Sequence, residues 1–332
     1  MIHGRAIHTH ILRGGRLESA HRATAVICPC GGDPILIGED DPGTHLRSVA
    51  KPFQTLTLLA AGVAERFSLS DEEVAVITAS HAGESLHQRL VAGLIGRDGL
   101  TPEDLRCGIH PPFSRGERHR RLAAGEPSTV LDNNCSGKHA GMLLHCRHLG
   151  VDPTGYLEAD HPVQRPVRAM LERFTGMVIG QDRIAVDGCG APTFHLPLVA
   201  IARAFSRLLD ERTLAAAGLL AASRRLHHAI AGHPRAFSGE GRIPYLWSEV
   251  LAPGIFSKEG AEGLHALWGE AGAIIIKSHD GQERGYRHAV PGLLERAGWL
   301  SGEALERWQR IDPPILRNVA GRVVGRIEVT LP

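Results

Sequence analysis

Apolar residues follow two different periods along the first part of the chain. Residues 22–28 and 34–38 are β-rich runs on either side of a glycine-bearing turn at 31–33, which is typical of a β-hairpin. Pro52 lies where a first helical turn tolerates proline, and apolar residues then recur at helical spacing to about Phe67. This pattern predicts a largely buried helix.

The rest of the chain predicts helices in the middle and strands towards the end. Val74 to Ala79 is a short apolar run for which we predict a strand. Further helices are predicted at about 86–97, 137–149, 163–175, 195–209, 212–231, 290–299 and 301–310, and further strands at 255–256, 271–277, 286–289 and 322–331. The last strand alternates, which favours a partly exposed antiparallel sheet. We therefore predict an α/β protein of the α+β type, with a single, largely antiparallel sheet built from both ends of the chain and packed with helices, as one domain over 1–332.

Composition and charge narrow the class of partner. The chain has 332 residues, 43% of them hydrophobic, and a net charge of +1, so neither nucleic acid nor an anionic membrane is favoured and a small-molecule ligand is expected. The segment Met1 to Arg5 lacks the apolar stretch of a signal peptide, which predicts a cytoplasmic protein. Six cysteines in such a chain indicate thiolate chemistry or metal binding. Residues 102–134 are weakly periodic and predict a long functional loop segment.

Lysine is rare and its positions are informative. Four lysines stand against thirty-three arginines, and each lysine lies within three residues of a serine. A coding bias towards arginine accounts for the general imbalance. It does not account for Lys51, which follows Ser48 at the spacing of Ser-Lys acyl enzymes. A buried lysine can lose its proton and act as a base, whereas arginine cannot.

Ser48 and Lys51 lie at the predicted start of a helix. Residues three apart share a face of a helix, and the helix N-terminus stabilises negative charge that develops there. Arg47 adds a cation in front of the serine. The arrangement suits a nucleophile with its own base, although Ser-x-x-Lys alone is a weak motif that also occurs by chance.

Two cysteines have unusual surroundings. Cys135 and Cys189 each lie in a small, polar, glycine-containing turn, whereas Cys28 and Cys146 follow aliphatic residues as buried structural cysteines do. Two thiolates can anchor zinc, but further ligands must complete the coordination. A metal site, a reactive thiol and an inert core cysteine remain equally open from these residues alone.

An ordered series of motifs resembles one enzyme family. The motifs are Arg13-Gly14-Gly15, Glu18-Ser19-Ala20-His21, Arg47-Ser48-Val49-Ala50-Lys51-Pro52-Phe53-Gln54, Ala79-Ser80-His81, Arg106-Cys107-Gly108-Ile109-His110-Pro111, Asn134 to His139, Asp160-His161-Pro162-Val163-Gln164, Asp187-Gly188-Cys189 and Gly239-Glu240-Gly241-Arg242. Together they resemble the rhizobial-type, or class 3, L-asparaginases. The chain departs from the family pattern at Ile243-Pro244, where a family member has a cysteine.

The resemblance implies an amidohydrolase that acts on L-asparagine, with a fold similar to serine β-lactamases and glutaminases. It also implies a homodimer and one zinc ion per chain beside the active site. By the same resemblance, the two catalytic pairs would be Ser48 with Lys51 and Ser80 with Lys258, the zinc ligands would be Cys135, Lys138, Cys189 and a water, and the substrate would be lined by Arg47, His139 and Asp187.

These residues predict hydrolysis of L-asparagine through an acyl enzyme, with Ser48 favoured as the nucleophile and Lys51 as its base. Zinc is expected to orient the substrate. Two alternatives remain: a glutaminase or β-lactamase-like Ser-Lys hydrolase, and a zinc-stabilised protein that binds an amino acid without turning it over.

Overall fold

The computed structural model describes residues 2–3, 6–41 and 43–332. Met1, Gly4 and Arg5, which belong to the segment used above to argue against a signal peptide, lie outside the described residues, as does Pro42. Within the described part of the chain, no helix is both long enough and apolar enough to cross a membrane.

The chain packs into two compact units. The sheet unit comprises Met1–Val49, Leu196–Asp210 and Leu246–Pro332, and the helical unit comprises Ala50–His195 and Glu211–Tyr245. The assignment of 1–332 to one domain stays a prediction.

The strands are short apart from one at the N-terminal end. In chain order, β1 to β12 are Ile2–His3, Ile7–Arg13, Arg16–Pro29, Ile35–Gly38, Thr44–His45, Ile184–Val186, Pro192–Leu196, Phe256–Glu259, Leu264–Gly269, Gly272–Ser278, Ile315–Arg317 and Val323–Thr330.

Most of the α-helices lie between β5 and β8 in the sequence. In chain order, α1 to α15 are Lys51–Ala60, Val63–Arg66, Asp71–Thr78, Ser85–Ile95, Arg115–Ala124, Ser136–Leu149, Arg165–Thr175, Leu198–Ser206, Glu211–Ala216, Leu220–Gly232, Pro234–Phe237, Ile243–Ser248, Arg284–Arg287, Val290–Arg296 and Gly302–Ile311. Short 3₁₀ helices cover Arg47–Ala50, Pro102–Asp104, Val130–Asp132 and Gln181–Arg183.

The sheet unit is built around one nine-stranded sheet. Its strands run in the order β11-β12-β2-β3-β10-β9-β8, with β4 paired to β3 and β1 to β4. Every pair is antiparallel except β1 with β4. Helix α8 packs against β3 and β10. The predicted fold class is confirmed: an α+β protein whose largely antiparallel sheet is built from both ends of the chain and packed by helices.

Burial along the strands follows their place in the sheet. All six residues of β9 are buried, as is nearly all of β10, so neither face of these strands is exposed to solvent. Strand β12 alternates between exposed and half-buried positions, as its sequence predicts. The predicted hairpin is confirmed as β3 and β4, although β3 begins earlier, at Arg16.

Two strand predictions are wrong. Residues 74–79 lie mainly in α3, because Ser70 and Glu73 form a capping box that starts a helix at Asp71. Residues 286–289 contain the end of α13 instead of a strand, and the ring of Tyr286 stacks on His265 at 5.1 Å. The apolar run that forms β9 was not predicted.

The helical unit is organised around α1, α3 and α6. Helix α1 packs against α3, α6, α7 and α10, and α3 packs against α6 and α10. Gly137 of α6 lies so close to α3 that a Cβ atom there would be 2.3 Å from the Val76 carbonyl oxygen. This close approach brings the N-terminus of α6 next to the turn that follows α3.

Candidate active site

Lys51 connects three elements of the helical unit through its side chain. It begins α1, with Pro52 as the next helical residue, and it is only 1% exposed. Its Nζ lies 2.6 Å from the Ala79 carbonyl oxygen and 3.0 Å from Ser80 Oγ, both in the turn after α3. The Asn134 carbonyl oxygen, just before α6, lies 3.3 Å away. One buried amine therefore joins α1 to the ends of two neighbouring helices.

The partners of Lys51 determine how a neutral amine would be oriented. Two of them, the carbonyls of Ala79 and Asn134, can only accept hydrogen bonds. A neutral amine has two N–H bonds and one lone pair, so it can donate to two of its acceptors, which are these carbonyls and the side chain of Cys135. The lone pair then faces Ser80 Oγ, at a distance suitable for accepting the hydroxyl proton.

Burial also favours the neutral form of this amine. Desolvation is the main cause that lowers the pKa of Lys51, and the charge of Lys138 lowers it further, while the charge of Cys135 opposes them. The contact and the direction of the pKa shift both fit a general base.

A second buried cluster contains two thiols and an amine. Cys135 precedes α6, Lys138 lies in its first turn, and Cys189 comes from the loop between β6 and β7. The Lys138 Nζ lies 3.0 Å from Cys189 Sγ. All three side chains are less than 10% exposed.

Asn133 fixes the turn that carries Cys135. Its Oδ1 accepts a hydrogen bond of 2.8 Å from the Cys135 N–H. Its Nδ2 donates to the carbonyl oxygens of Cys107 and Gly108, at 2.8 and 3.1 Å. The side chain therefore ties the 107–108 loop to the start of α6 and holds the thiol in place.

The charges in this cluster compensate one another. A hydrogen bond from Cys189, with the nearby charges of Lys51 and Lys138, holds the pKa of Cys135 well below its usual range despite burial. The same bond raises the pKa of Cys189, so one thiolate and one thiol share a proton. Burial lowers the pKa of Lys138, but the charges of Cys135 and Cys189 outweigh it and raise the pKa overall.

The donor types of this cluster fit a zinc ion. Two cysteine sulfurs and an amine nitrogen already lie in contact, and zinc prefers sulfur and nitrogen donors. Zinc binding would displace the shared protons. Across residues 2–3, 6–41 and 43–332, no group of three or more His, Cys, Asp or Glu side chains could hold a metal. Lys138 would be the third protein ligand of such an ion.

Asp187 and His139 lie in the same unit as this cluster. Asp187 Oδ1 accepts a hydrogen bond of 2.7 Å from the Gly188 N–H, and its Oδ2 lies 3.8 Å from Cys189 Sγ. His139 is fully buried, and its Nδ1 lies 2.7 Å from the Tyr156 hydroxyl. Burial, with the charges of Lys138 and Lys51, holds the pKa of His139 well below its usual value, so the ring is neutral.

The other three predicted residues belong to the sheet unit. Arg47 and Ser48 lie in the 3₁₀ helix just before α1, and both are partly exposed. Arg47 has φ +47°, a left-handed conformation that is uncommon for a side chain other than glycine. Lys258 is a buried residue of β8, and its Nζ donates to the Glu259 carbonyl oxygen at 2.7 Å.

The helical unit contains a cavity of about 810 Å³. One of its lining residues, Ala82, lies two positions after Ser80 in the sequence. The cavity is lined in part by Ala82, Glu84, Phe113, Arg235 and Arg242. The carboxylate of Glu84 accepts hydrogen bonds of 2.8 Å from Arg235 Nε and from the backbone N–H of Glu240. Arg242 lies over the Phe113 ring at 5.0 Å. Glu84 thus holds the 239–242 motif against the segment that follows Ser80.

The sequence did not predict the contact between Lys51 and Ser80, since it paired each with another residue. The contact depends on how α1 packs against α3, which no local pattern encodes. Tyr156 was also missed, because a lone tyrosine in a polar segment carries no motif. The resemblance to the L-asparaginase family implied that Cys135, Lys138 and Cys189 belong together, and the three side chains lie in one cluster.

Two solved structures match the chain over most of its length. A probable glutaminase, ybaS, is 14% identical, with a TM-score of 0.37, over 84% of this chain and 86% of the other. The Bacillus subtilis glutaminase YbgJ, in a covalent complex with 5-oxo-L-norleucine, is 11% identical, with a TM-score of 0.34, over 79% of this chain and 82% of the other. No curated protein matches the chain.

A family comparison covers almost the whole molecule. The model of the family described as L-asparaginase II matches residues 9–329, which include all ten residues predicted to form the site. A small-molecule amide is the corresponding class of substrate. The chain belongs to the L-asparaginase II family and is an amidohydrolase.

Proposed function

We propose that this protein hydrolyses L-asparagine to L-aspartate and ammonia through a serine that is activated by a neutral lysine. The observation that carries the proposal is the 3.0 Å contact between Lys51 Nζ and Ser80 Oγ. Family membership supports an amide substrate. L-Asparagine is the amide that the family description names.

The chemistry divides into two half-reactions. Lys51 takes the hydroxyl proton of Ser80 while the serine oxygen attacks the side-chain amide carbon of the substrate. The tetrahedral intermediate collapses when the protonated amine of Lys51 returns that proton to the leaving nitrogen, and ammonia departs. Lys51 then deprotonates a water molecule, which attacks the ester carbon, and it returns that proton to Ser80 Oγ as L-aspartate leaves.

Ser48 is the alternative nucleophile. The spacing of Ser48 and Lys51 favoured it in the sequence, whereas the contact of Lys51 favours Ser80. We propose Ser80 because its hydroxyl already lies against a base. Ser48 and Lys258 remain candidates for proton transfer during deacylation.

The substrate's other groups require their own partners. We propose that Cys135, Lys138 and Cys189 hold one zinc ion per chain, with water as the fourth ligand. The ion would supply a positive charge that orients the α-amino and carboxylate end of the substrate. Arg47, His139 and Asp187 are proposed to line that end. None of the proton transfers above depends on the ion.

A substrate panel tests the proposal. Purified protein is incubated with L-asparagine, L-glutamine or a chromogenic β-lactam, and ammonia release or β-lactam opening is measured. We expect ammonia from L-asparagine, with kcat/KM at least about tenfold above that for L-glutamine, because an extra methylene displaces the amide from the serine. A preference for glutamine or β-lactam would make the substrate assignment wrong. Ligand binding without turnover would contradict the catalytic role of the Lys51 contact.

The homodimer and the cytoplasmic location remain predictions. The first is tested by light scattering, with an expected mass of about twice the chain mass of 35.8 kDa.

A further inference from the structure

The hydroxyl of Tyr156 has two polar neighbours that together assign its proton. It accepts a hydrogen bond of 3.0 Å from the backbone N–H of Arg106. It also lies 2.7 Å from Nδ1 of His139. An amide N–H can only donate, so the single phenolic proton is free to point to His139. The hydroxyl proton of Tyr156 has no other acceptor among the contacts of the described residues, so Nδ1 accepts it, and the proton of the neutral imidazole lies on Nε2.

The other ring nitrogen of His139 has no partner among the described residues. Its Nε2 is buried and makes no hydrogen bond, and the residue is 0% exposed. Leaving a buried donor unpaired lowers stability, so such groups call for an explanation. A donor that waits for a ligand oxygen is one explanation, and His139 directly follows Lys138 in the first turn of α6.

We propose that Tyr156 is a positioning residue, which fixes His139 as the Nε2–H tautomer so that Nε2–H donates to an oxygen of the bound amino-acid substrate. The tautomer follows from the contacts of Tyr156 alone. The identity of the ligand rests on the proposed function. Groups that orient a ligand-binding histidine in this way are typically worth 10–100-fold in affinity or activity, by analogy with metal sites.

Tyr156 also has packing and backbone contacts on which a purely structural role would depend. The residue is 2% exposed, and its ring packs edge-on against that of His139 at 5.6 Å. Its carbonyl oxygen accepts a separate hydrogen bond of 2.8 Å from Gln164 Nε2. Tyr156→Phe removes the hydroxyl but keeps both contacts, so this variant is expected to fold.

The first test measures the tautomer directly. Two-bond ¹⁵N–¹H correlations of ¹⁵N-histidine-labelled protein distinguish a proton on Nε2 from one on Nδ1, and His139→Gln identifies the signal of His139. We expect the Nε2–H form in the unmodified protein and a gain of Nδ1–H in Tyr156→Phe. Tyr286→Phe, at another buried tyrosine that stacks on a histidine, should leave the signal unchanged. An Nδ1–H form in the unmodified protein, or no change in Tyr156→Phe, would overturn the proposal.

The second test separates positioning from packing. Tyr156→Phe should raise both the KM for L-asparagine and the Kd for L-aspartate about tenfold, with kcat within about threefold. In a His139→Gln background, the amide nitrogen of glutamine can donate from the Nε2 position without tautomer control. In that background, Tyr156→Phe should change the KM for L-asparagine and the Kd for L-aspartate by less than about twofold.

Equal effects of Tyr156→Phe in the two backgrounds would show that the tyrosine acts through packing alone, and would overturn the proposal. If the unmodified protein releases no ammonia from L-asparagine, the proposed function fails by itself. The tautomer measurement still decides the role of Tyr156 in that case.

Discussion

Lys51 and Lys138 are both buried, yet their partners give them opposite chemistry. Lys51 faces two carbonyls, a hydroxyl and the side chain of Cys135, and its pKa is lowered, chiefly by burial. Lys138 contacts Cys189 Sγ at 3.0 Å, and the thiol charges raise its pKa despite burial. Lys51 is thereby suited to accept a proton. Lys138 is suited to stay paired with the sulfur atoms, or to bind a metal ion that replaces its proton.

Ser80→Ala tests which serine is the nucleophile. We expect this variant to keep its fold and to lose kcat by on the order of 10⁴-fold or more, because the nucleophile is absent. Ser48→Ala should retain more activity. A diazoketone analogue of L-asparagine should label the unmodified protein on Ser80, as located by peptide mass spectrometry. Labelling of Ser48 instead would assign the nucleophile as the sequence first suggested.

Cys135→Ser and Cys189→Ser test the metal site. Elemental analysis of the unmodified protein should find about one zinc per chain, and each variant should lose it, because a hydroxyl is a poor zinc ligand. The KM for L-asparagine should rise more than kcat falls. Cys30→Ser is the control, since Cys30 is exposed and should not affect zinc content. Stoichiometric zinc in both variants would place the ligands elsewhere. Loss of zinc with reduced kcat and unchanged KM would indicate a catalytic ion.

The sequence predicts single residues of the site better than their pairing. Cys135 and Cys189 were recognisable because each lies in a glycine-containing turn, and Lys51 because lysine is so rare. The partner of Lys51 could not be predicted, since Ser80 lies 29 residues away and meets it only when two helices pack. The tautomer of His139 likewise depends on Tyr156, 17 residues further along.

At the scale of elements, the spacing between α3 and α6 positions the site. Both helices lead into it, α3 through the turn to Ser80 and α6 through Lys138. Gly137→Ala would put a Cβ atom 2.3 Å from the Val76 carbonyl oxygen, and so push the helices apart. We expect a loss of ~1–3 kcal/mol in the free energy of unfolding, and reduced activity in the folded fraction.

Gly232→Ala is the matched control for that substitution. Gly232 is also helical, but a Cβ atom there would meet nothing within 4 Å. Because alanine has the higher helix propensity, this variant should be unchanged or more stable by less than ~1 kcal/mol. Thermal unfolding of the unmodified protein, Gly137→Ala and Gly232→Ala measures these differences in stability. Equal melting temperatures for Gly137→Ala and the unmodified protein would contradict the importance of the close approach.

The mistaken strand at 74–79 shows where local patterns fail. Val74, Val76 and Ile77 are β-branched, which favours a strand, and residues 73–78 of helix α3 are all buried. With no exposed face, its sequence has no helical period to detect. The capping box of Ser70 and Glu73 was the available evidence for a helix. By contrast, β12 was predictable because one of its faces is exposed and its sequence alternates.

At the scale of the whole molecule, the sheet built from both ends of the chain was predictable from the distribution of elements alone. Its strand order was not, because pairing β3 with β10 joins segments about 250 residues apart. The division into a sheet unit and a helical unit was also not predicted, since no linker or change of composition marks it.

Buried histidines in both units make stability depend on pH. Burial lowers the pKa of His227 to about 4 and that of His265 to about 3, from the usual 6.5. The unfolded chain therefore binds more protons below pH 6.5, so their stabilising effect is complete above that pH and declines as the pH falls. Between pH 6.5 and 5, each histidine should lower the free energy of unfolding by ~2 kcal/mol.

Thermal unfolding at pH 7.5 and pH 5 measures this loss. His227→Gln and His265→Gln should each reduce the difference in melting temperature between the two pH values. His119→Gln, at an exposed position, should not. An unchanged difference in both buried variants would show that other groups control the acid sensitivity.

Ammonia release by the unmodified protein and by Lys51→Arg tests the central claim most directly. Arginine keeps the positive charge but cannot act as a base, so we predict rapid release of ammonia and L-aspartate from L-asparagine by the unmodified protein and at least about a 10³-fold lower kcat in the variant. Lys51→Met, which fits the buried position without a charge, should be equally inactive, and circular dichroism verifies that both variants fold. No ammonia from the unmodified protein, or near-normal turnover in folded Lys51→Arg, would contradict the account.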